Sequence, residues 1–210
     1  MLRLLDRKFE NPAAHFELGQ LYHAEGSWPQ AEYRYNIALS FDPAHAEAQA
    51  AMVKLFLDSG DTAKAKTYAD TYINQVAGSG IQSLRLAMAF QKQQHDEYAL
   101  ACYQQAVNLS PNSARINKQF GYYYLSKDDK VRAKEYLVRS FQLDPSQPDV
   151  AGELGRLGVE VRIPQKAERS TAKLGSTVGQ SGQESEREWK IVMKHGLFQV
   201  EPVGQKSDKK

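Results

Sequence analysis

Between residues 12 and 147 the apolar residues fall in short stripes of helical spacing, separated by small polar breaks. Leu18, Gly19 and Tyr22 share one face of a first helix, and Ala31, Tyr35 and Ala38 share one face of a second. The pattern returns as Met52, Val53 and Phe56, then Ala65, Ala69 and Tyr72. It returns again as Leu86, Ala87 and Phe90, then Ala99, Tyr103 and Ala106. A fourth time it reads Phe120, Gly121 and Tyr124, then Ala133, Leu137 and Ser140. Small residues in each stripe let two helices approach closely, and a large one beside them fills the remaining space. The breaks Gly26-Ser27, Gly60-Asp61 and Asp128-Asp129 predict turns in which one helix ends left-handed and Ser or Asp caps the next. Gln94-His95-Asp96 stands at the third break and predicts a less well defined turn.

Prolines give the period. Pro111 and Pro145 lie 34 residues apart, and Pro43 and Pro111 twice that. With these prolines at position 32 of a unit, the repeats run 12–45, 46–79, 80–113 and 114–147, and position 20 is alanine in all four. This column pattern at this period resembles the tetratricopeptide repeat, a helix–turn–helix unit. The resemblance implies an all-α fold, an α-solenoid of stacked helix-turn-helix repeats with a closing helix and a largely disordered C-terminal tail. The second repeat departs most. Val53 stands where a small residue is usual, Ala69 and Tyr72 exchange sizes, and Ala77 replaces the proline. Such an exchange reads as repacking at roughly constant volume. One repeat buries too little to fold alone, so stacking supplies the core.

Residues 1–11 form an N-terminal segment whose Leu2, Leu4, Leu5 and Phe9 predict a short helix closing the front of the array. A closing helix is expected within 148–163, weakened by Gly152, Gly155 and Gly158 unless these permit close packing. Residues 164–210 read as a flexible tail with an apolar segment at 189–203. There Ile191, Met193 and Leu197 alternate around His195-Gly196, so two readings stand, a loose tail and a tethered motif that docks on a partner or on the array.

The formal charge is +2, about −1 over residues 1–165 and +3 beyond them, which points to neither nucleic acid nor membrane. No run approaches the roughly 20 apolar residues of a membrane-spanning helix. The lone Cys102 has no internal disulfide partner and reads as a packed thiol, which fits a reducing, cytoplasmic location. His15, His23, His45, His95 and His195 do not form a zinc-hydrolase spacing, and Ala77-Gly-Ser-Gly80 lacks the lysine of a phosphate loop. No catalytic order of residues and no cofactor or metal motif emerges.

In the tetratricopeptide family the first helices line a concave groove at positions 2, 5, 9, 12 and 13. Carried over, this assigns Phe16, Gln20 and His23 in the first repeat, and Glu47, Ala50, Lys54 and Leu57 in the second. It assigns Ile81, Leu84, Met88 and Gln91 in the third, joined by Arg85, and Arg115, Lys118, Tyr122 and Leu125 in the fourth. Ile81, Leu84 and Met88 are either ordinary packing residues or an apolar anchor site with cations around it. The lysine and asparagine set with which some members clamp a chaperone's terminal carboxylate is absent. The resemblance therefore implies a non-enzymatic scaffold or adaptor for another protein or peptide. The alternative is a self-assembling structural protein.

Overall fold

The computed structural model describes residues 11–160 and the strand residues 189–194 and 197–202. The expectations for the N-terminal segment and for the linker lie outside the described residues. The chain forms two compact units, 1–116 and 117–210.

The first unit holds three helix pairs. They are α1 (Pro12–Ala24) with α2 (Trp28–Phe41), α3 (Ala46–Asp58) with α4 (Thr62–Gln75), and α5 (Gly80–Lys92) with α6 (Asp96–Leu109). Helix α7 (Ala114–Ser126) begins at its end. Within each pair the two helices pack on one another, and α3 packs on both α2 and α5. First helices start at 12, 46, 80 and 114, so the period of 34 holds in three dimensions as well as in sequence.

The small residues explain the packing. Ala31, Ala65, Ala99 and Ala133 are all fully buried. A Cβ built on Gly19 would come within 2.5 Å of the Tyr35 ring, and one built on Gly121 within 2.7 Å of Leu137. Each glycine thus seats the large residue of its own second helix. In the second pair, where Val53 replaces that glycine, its counterpart is Ala69, and both are fully buried.

All four turns share one geometry. Gly26 and Gly60 have φ of +73° and +86°, and Gln94 and Asp128 occupy the same place at +64° and +56°. The third turn, expected to be irregular, closes like the others, with the His95 amide donating to the Phe90 carbonyl at 3.0 Å. Tertiary packing imposes the left-handed residue that the sequence does not favour. Asp61 and Asp129 cap α4 and the helix after α7 as expected, but Ser27 makes no side-chain capping bond. Because Gln94 carries a Cβ in a region costing roughly 1–2 kcal/mol per residue, Gln94→Gly is expected to stabilise the chain by about 0.5–1 kcal/mol after the added backbone entropy. Urea denaturation measures it, and a loss of stability would show that the Gln94 side chain contributes more than its strain costs.

One column was not anticipated in kind. Position 4 of each repeat is buried yet polar, as His15, Gln49, Ser83 and Asn117. Gln49 Nε2 donates to the Pro43 carbonyl at 2.7 Å, and Ser83 Oγ donates to the Val76 carbonyl at 3.1 Å. Gln49 and Ser83 thus tie the start of their repeats to the connection before and satisfy carbonyls that helix ends leave free.

The second unit contains the rest of α7, α8 (Lys130–Leu143), α9 (Pro148–Arg156) and a hairpin. Its helices bury Leu137, Phe141, Val150, Ala151 and Leu154 together. Helix α9 is shorter than the closing segment expected, because Gly158 turns left-handed at φ +73° and the Val159 amide closes on the Leu154 carbonyl at 2.9 Å. A Cβ on Gly152 would meet nothing, so no close helix approach accounts for that glycine. The C-terminal segment, expected to be largely without regular structure, contains β1 (Trp189–Lys194) paired antiparallel with β2 (Leu197–Pro202). Trp189, Ile191, Val192, Phe198 and Val200 are residue types that favour strands.

Candidate interaction surface

Within the first unit, α1 and α3 place His23, Lys54 and Asp58 together. His23 Nε2 lies 3.0 Å from Asp58 Oδ2, and Lys54 Nζ reaches the same oxygen at 2.7 Å. The other ring nitrogen of His23 is 3.3 Å from the Tyr35 hydroxyl. Asp58 only accepts, so the Nε2 proton points to it. Burial raises the Tyr35 pKa, which keeps its hydroxyl protonated. Trp28 stands edge-on to His23 at 5.4 Å between ring centres. Burial pushes the Asp58 carboxyl up, but the bonds from Lys54 and His23 outweigh it and hold it below the usual carboxylate range. These residues, with Gln20 and Gln93, line an open cavity of about 280 Å³.

Nearby, His95 has its Nε2 buried without a hydrogen-bond partner among the described residues. Burial first, and then the Lys54 charge, lower its pKa, against the opposing pull of Asp58 and Asp96. Cys102 is buried and burial pushes its thiol up to about 12, so it is a packing residue rather than a nucleophile.

The other residues assigned to the groove divide by exposure. Ile81 and Met88 are 40% and 41% exposed, and Arg85 is exposed between them on α5. Their spacing places all three on one face of that helix. Leu84, by contrast, is 1% exposed and belongs to the core, as does Ala50. Phe16 is half-buried, 6.0 Å from the Tyr35 ring and 5.0 Å from His45, while Gln20 is exposed and Leu57 half-buried. Arg115, at the start of α7, is exposed. In the second unit Lys118 forms an ion pair with Asp149, to which the Tyr122 hydroxyl also donates at 3.1 Å, and Leu125 packs on the apolar core. Lys54 and Lys118 are therefore already neutralised within the chain.

Sequence reasoning passed over Asp58, Trp28 and Tyr35 as parts of this surface. Asp58 occupies position 13 of its repeat, a groove position, so its place was legible. Trp28 and Tyr35 lie on a second helix, and only the close approach over Gly19 brings Tyr35 to His23.

Helix pairs recurring every 34 residues, with Gly19 seated against Tyr35 and Gly121 against Leu137, give a helix-turn-helix repeat fold of the tetratricopeptide type. No family model matches the chain. In sequence it is 27% identical over 150 residues to the type IV pilus assembly protein PilF of Pseudomonas aeruginosa, a stretch covering 69% of this chain and 58% of that protein. It is 23% identical over 146 residues to the human protein O-mannosyl-transferase TMTC1, covering 66% of this chain and 16% of that protein. The chain thus spans little more than half of one relative and about a sixth of the other. Among solved structures, MamA aligns with a TM-score of 0.42 at 18% identity, covering 70% of this chain and 80% of that one. The P. aeruginosa PilF structure aligns with a TM-score of 0.40 at 26% identity, covering 70% and 67%. Among the described residues no helix is long and apolar enough to cross a membrane.

Proposed function

We propose that the first unit is a non-catalytic adaptor that binds a segment of another protein along the face of α1, α3 and α5. The observation carrying this reading is the exposed Ile81, Arg85 and Met88 row on a helix whose other large apolar residues, Leu84, Leu86 and Phe90, are all buried. Exposed apolar side chains grouped on one helix face, rather than scattered singly, favour an interaction surface. The partner inferred is a segment with an apolar anchor for Ile81 and Met88 and an acidic group for Arg85 or Arg115. Lys54 and Lys118 contribute less than their charge implies, since each already holds a carboxylate. The likeness to a pilus assembly protein supports a partner that belongs to a larger protein assembly. The buried lone thiol fits a reducing, cytoplasmic setting.

Affinity capture with three full-length baits tests the reading: the natural chain, Met88→Glu on the proposed face, and Tyr33→Glu on α2 as a control. A partner held by the natural chain and by Tyr33→Glu, and reduced about tenfold or more by Met88→Glu, is expected, since a buried charge without a counter-ion costs more than about 1.4 kcal/mol. Equal recovery by all three baits would sink the assignment of this face. A second reading, self-assembly, draws on Tyr33, Phe41 and Leu109, which are exposed on second helices. Sedimentation over a range of protein concentration decides it, and a monomer throughout removes it.

A further inference from the structure

The hairpin has one face that is apolar throughout. Trp189 pairs with Pro202, Ile191 with Val200 and Met193 with Phe198. Residues directly opposite in an antiparallel pair share a sheet face, and alternate residues of a strand return to it. Those six positions therefore lie on one face. The other face takes the pairs Lys190 with Glu201, Val192 with Gln199 and Lys194 with Leu197. Two strands alone are marginal in water, so such a face needs a cover.

The same unit offers one. Between α8 and α9 lies an open cavity of about 290 Å³, lined by the apolar Val138, Phe141, Pro145, Leu154 and Val159 together with Gln142 and Glu160. In the four full repeats each first helix is followed by a second helix that packs on it or beside it. Helix α9 is a first helix with no helix after it among the described residues. It is also only nine residues long, and the half-buried Val138 and Val159 are the apolar residues left partly exposed in the cavity beside it. Strand β1 runs beside α9. The 28 residues between Glu160 and Trp189 supply ample chain for that return.

We propose that the hairpin Trp189–Pro202 is the cap of the helical array. Its apolar face closes the cavity between α8 and α9 and stands in for the second helix of an unfinished fifth repeat. Terminal repeats need such a cover, because a stacked array otherwise ends on an apolar surface open to another copy. The occupant is the chain's own hairpin rather than a second copy. The two apolar surfaces belong to one unit, and tethering presents the hairpin at an effective concentration that a separate molecule reaches only in the millimolar range.

Trp189 emission tests this in the full chain carrying Trp28→Phe, which leaves Trp189 as its single tryptophan. Emission is expected at shorter wavelength than in a free 185–210 peptide, and independent of protein concentration. Val159→Glu and Val138→Glu, both on half-buried cavity residues, are each expected to move it to the peptide's wavelength while helix content by circular dichroism is kept. Met88→Glu on α5 is expected to leave it unchanged. Emission identical to that of the peptide would overturn the proposal. Release by Met88→Glu but not by the cavity variants would place the hairpin on the first-helix face and overturn it equally. A shift that appears only with dimerisation in sedimentation would assign the cover to a second copy.

Discussion

Phe120→Ala is expected to lower stability by about 3–5 kcal/mol. Phe120 is fully buried at position 7 of the fourth repeat. Its ring centre lies 4.4 Å from Tyr136 and 4.6 Å from Tyr124, with Tyr123 at 6.1 Å. The cost therefore has two parts, the lost transfer of the ring out of water and the cavity left among rings that cannot collapse freely. Urea denaturation monitored by circular dichroism measures it, with Val131→Ala as a control at a position 81% exposed. The control is expected to stay within about 0.5 kcal/mol. A Phe120→Ala loss below that of an ordinary surface change would mean that the aromatic cluster is not packed as described.

Ala99→Leu is expected to cost about 1–3 kcal/mol by the opposite mechanism, overpacking. Ala99 is fully buried on α6, at the column where all four repeats carry alanine. A larger side chain there has to push apart two helices whose contact the small residue sets. The same measurement on Ala101→Leu, an exposed neighbour on α6, is expected to show little change. If Ala101→Leu proves the more damaging of the two, the helix register is displaced. His23→Ala belongs between these cases. At 11% side-chain exposure, with bonds to Asp58 and Tyr35, it is a linked residue of the site rather than the free groove residue that its repeat position implies.

Much of the fold was legible because the repeat shows each packing position four times. A buried column such as Ala31, Ala65, Ala99 and Ala133 needs no coordinates to be read as a close helix contact. The candidate surface was legible only in part. Repeat position locates which face a residue such as Lys54, Arg85 or Met88 occupies, but not what it touches there. Leu84 shows the limit. Its repeat position assigns it to the groove, yet the crossing of α5 with its neighbours buries it.

From sequence alone came the helix pairs, their period, the small-residue contacts and the apolar character of the C-terminal segment. These follow from local propensity and from periodicity, which depend on neighbours along the chain. Tertiary structure alone decided that Gln94 adopts a left-handed conformation, that Gln49 and Ser83 tie their repeats to the connections before them, and that Lys54 and Lys118 are already paired. It likewise set the register that collects six apolar residues on one face of the hairpin. Of these, the Lys118–Asp149 pair joins residues distant in sequence, while the Lys54–Asp58 pair and the bonds of Gln49 and Ser83 join near neighbours whose side chains meet only once helices and connections have formed.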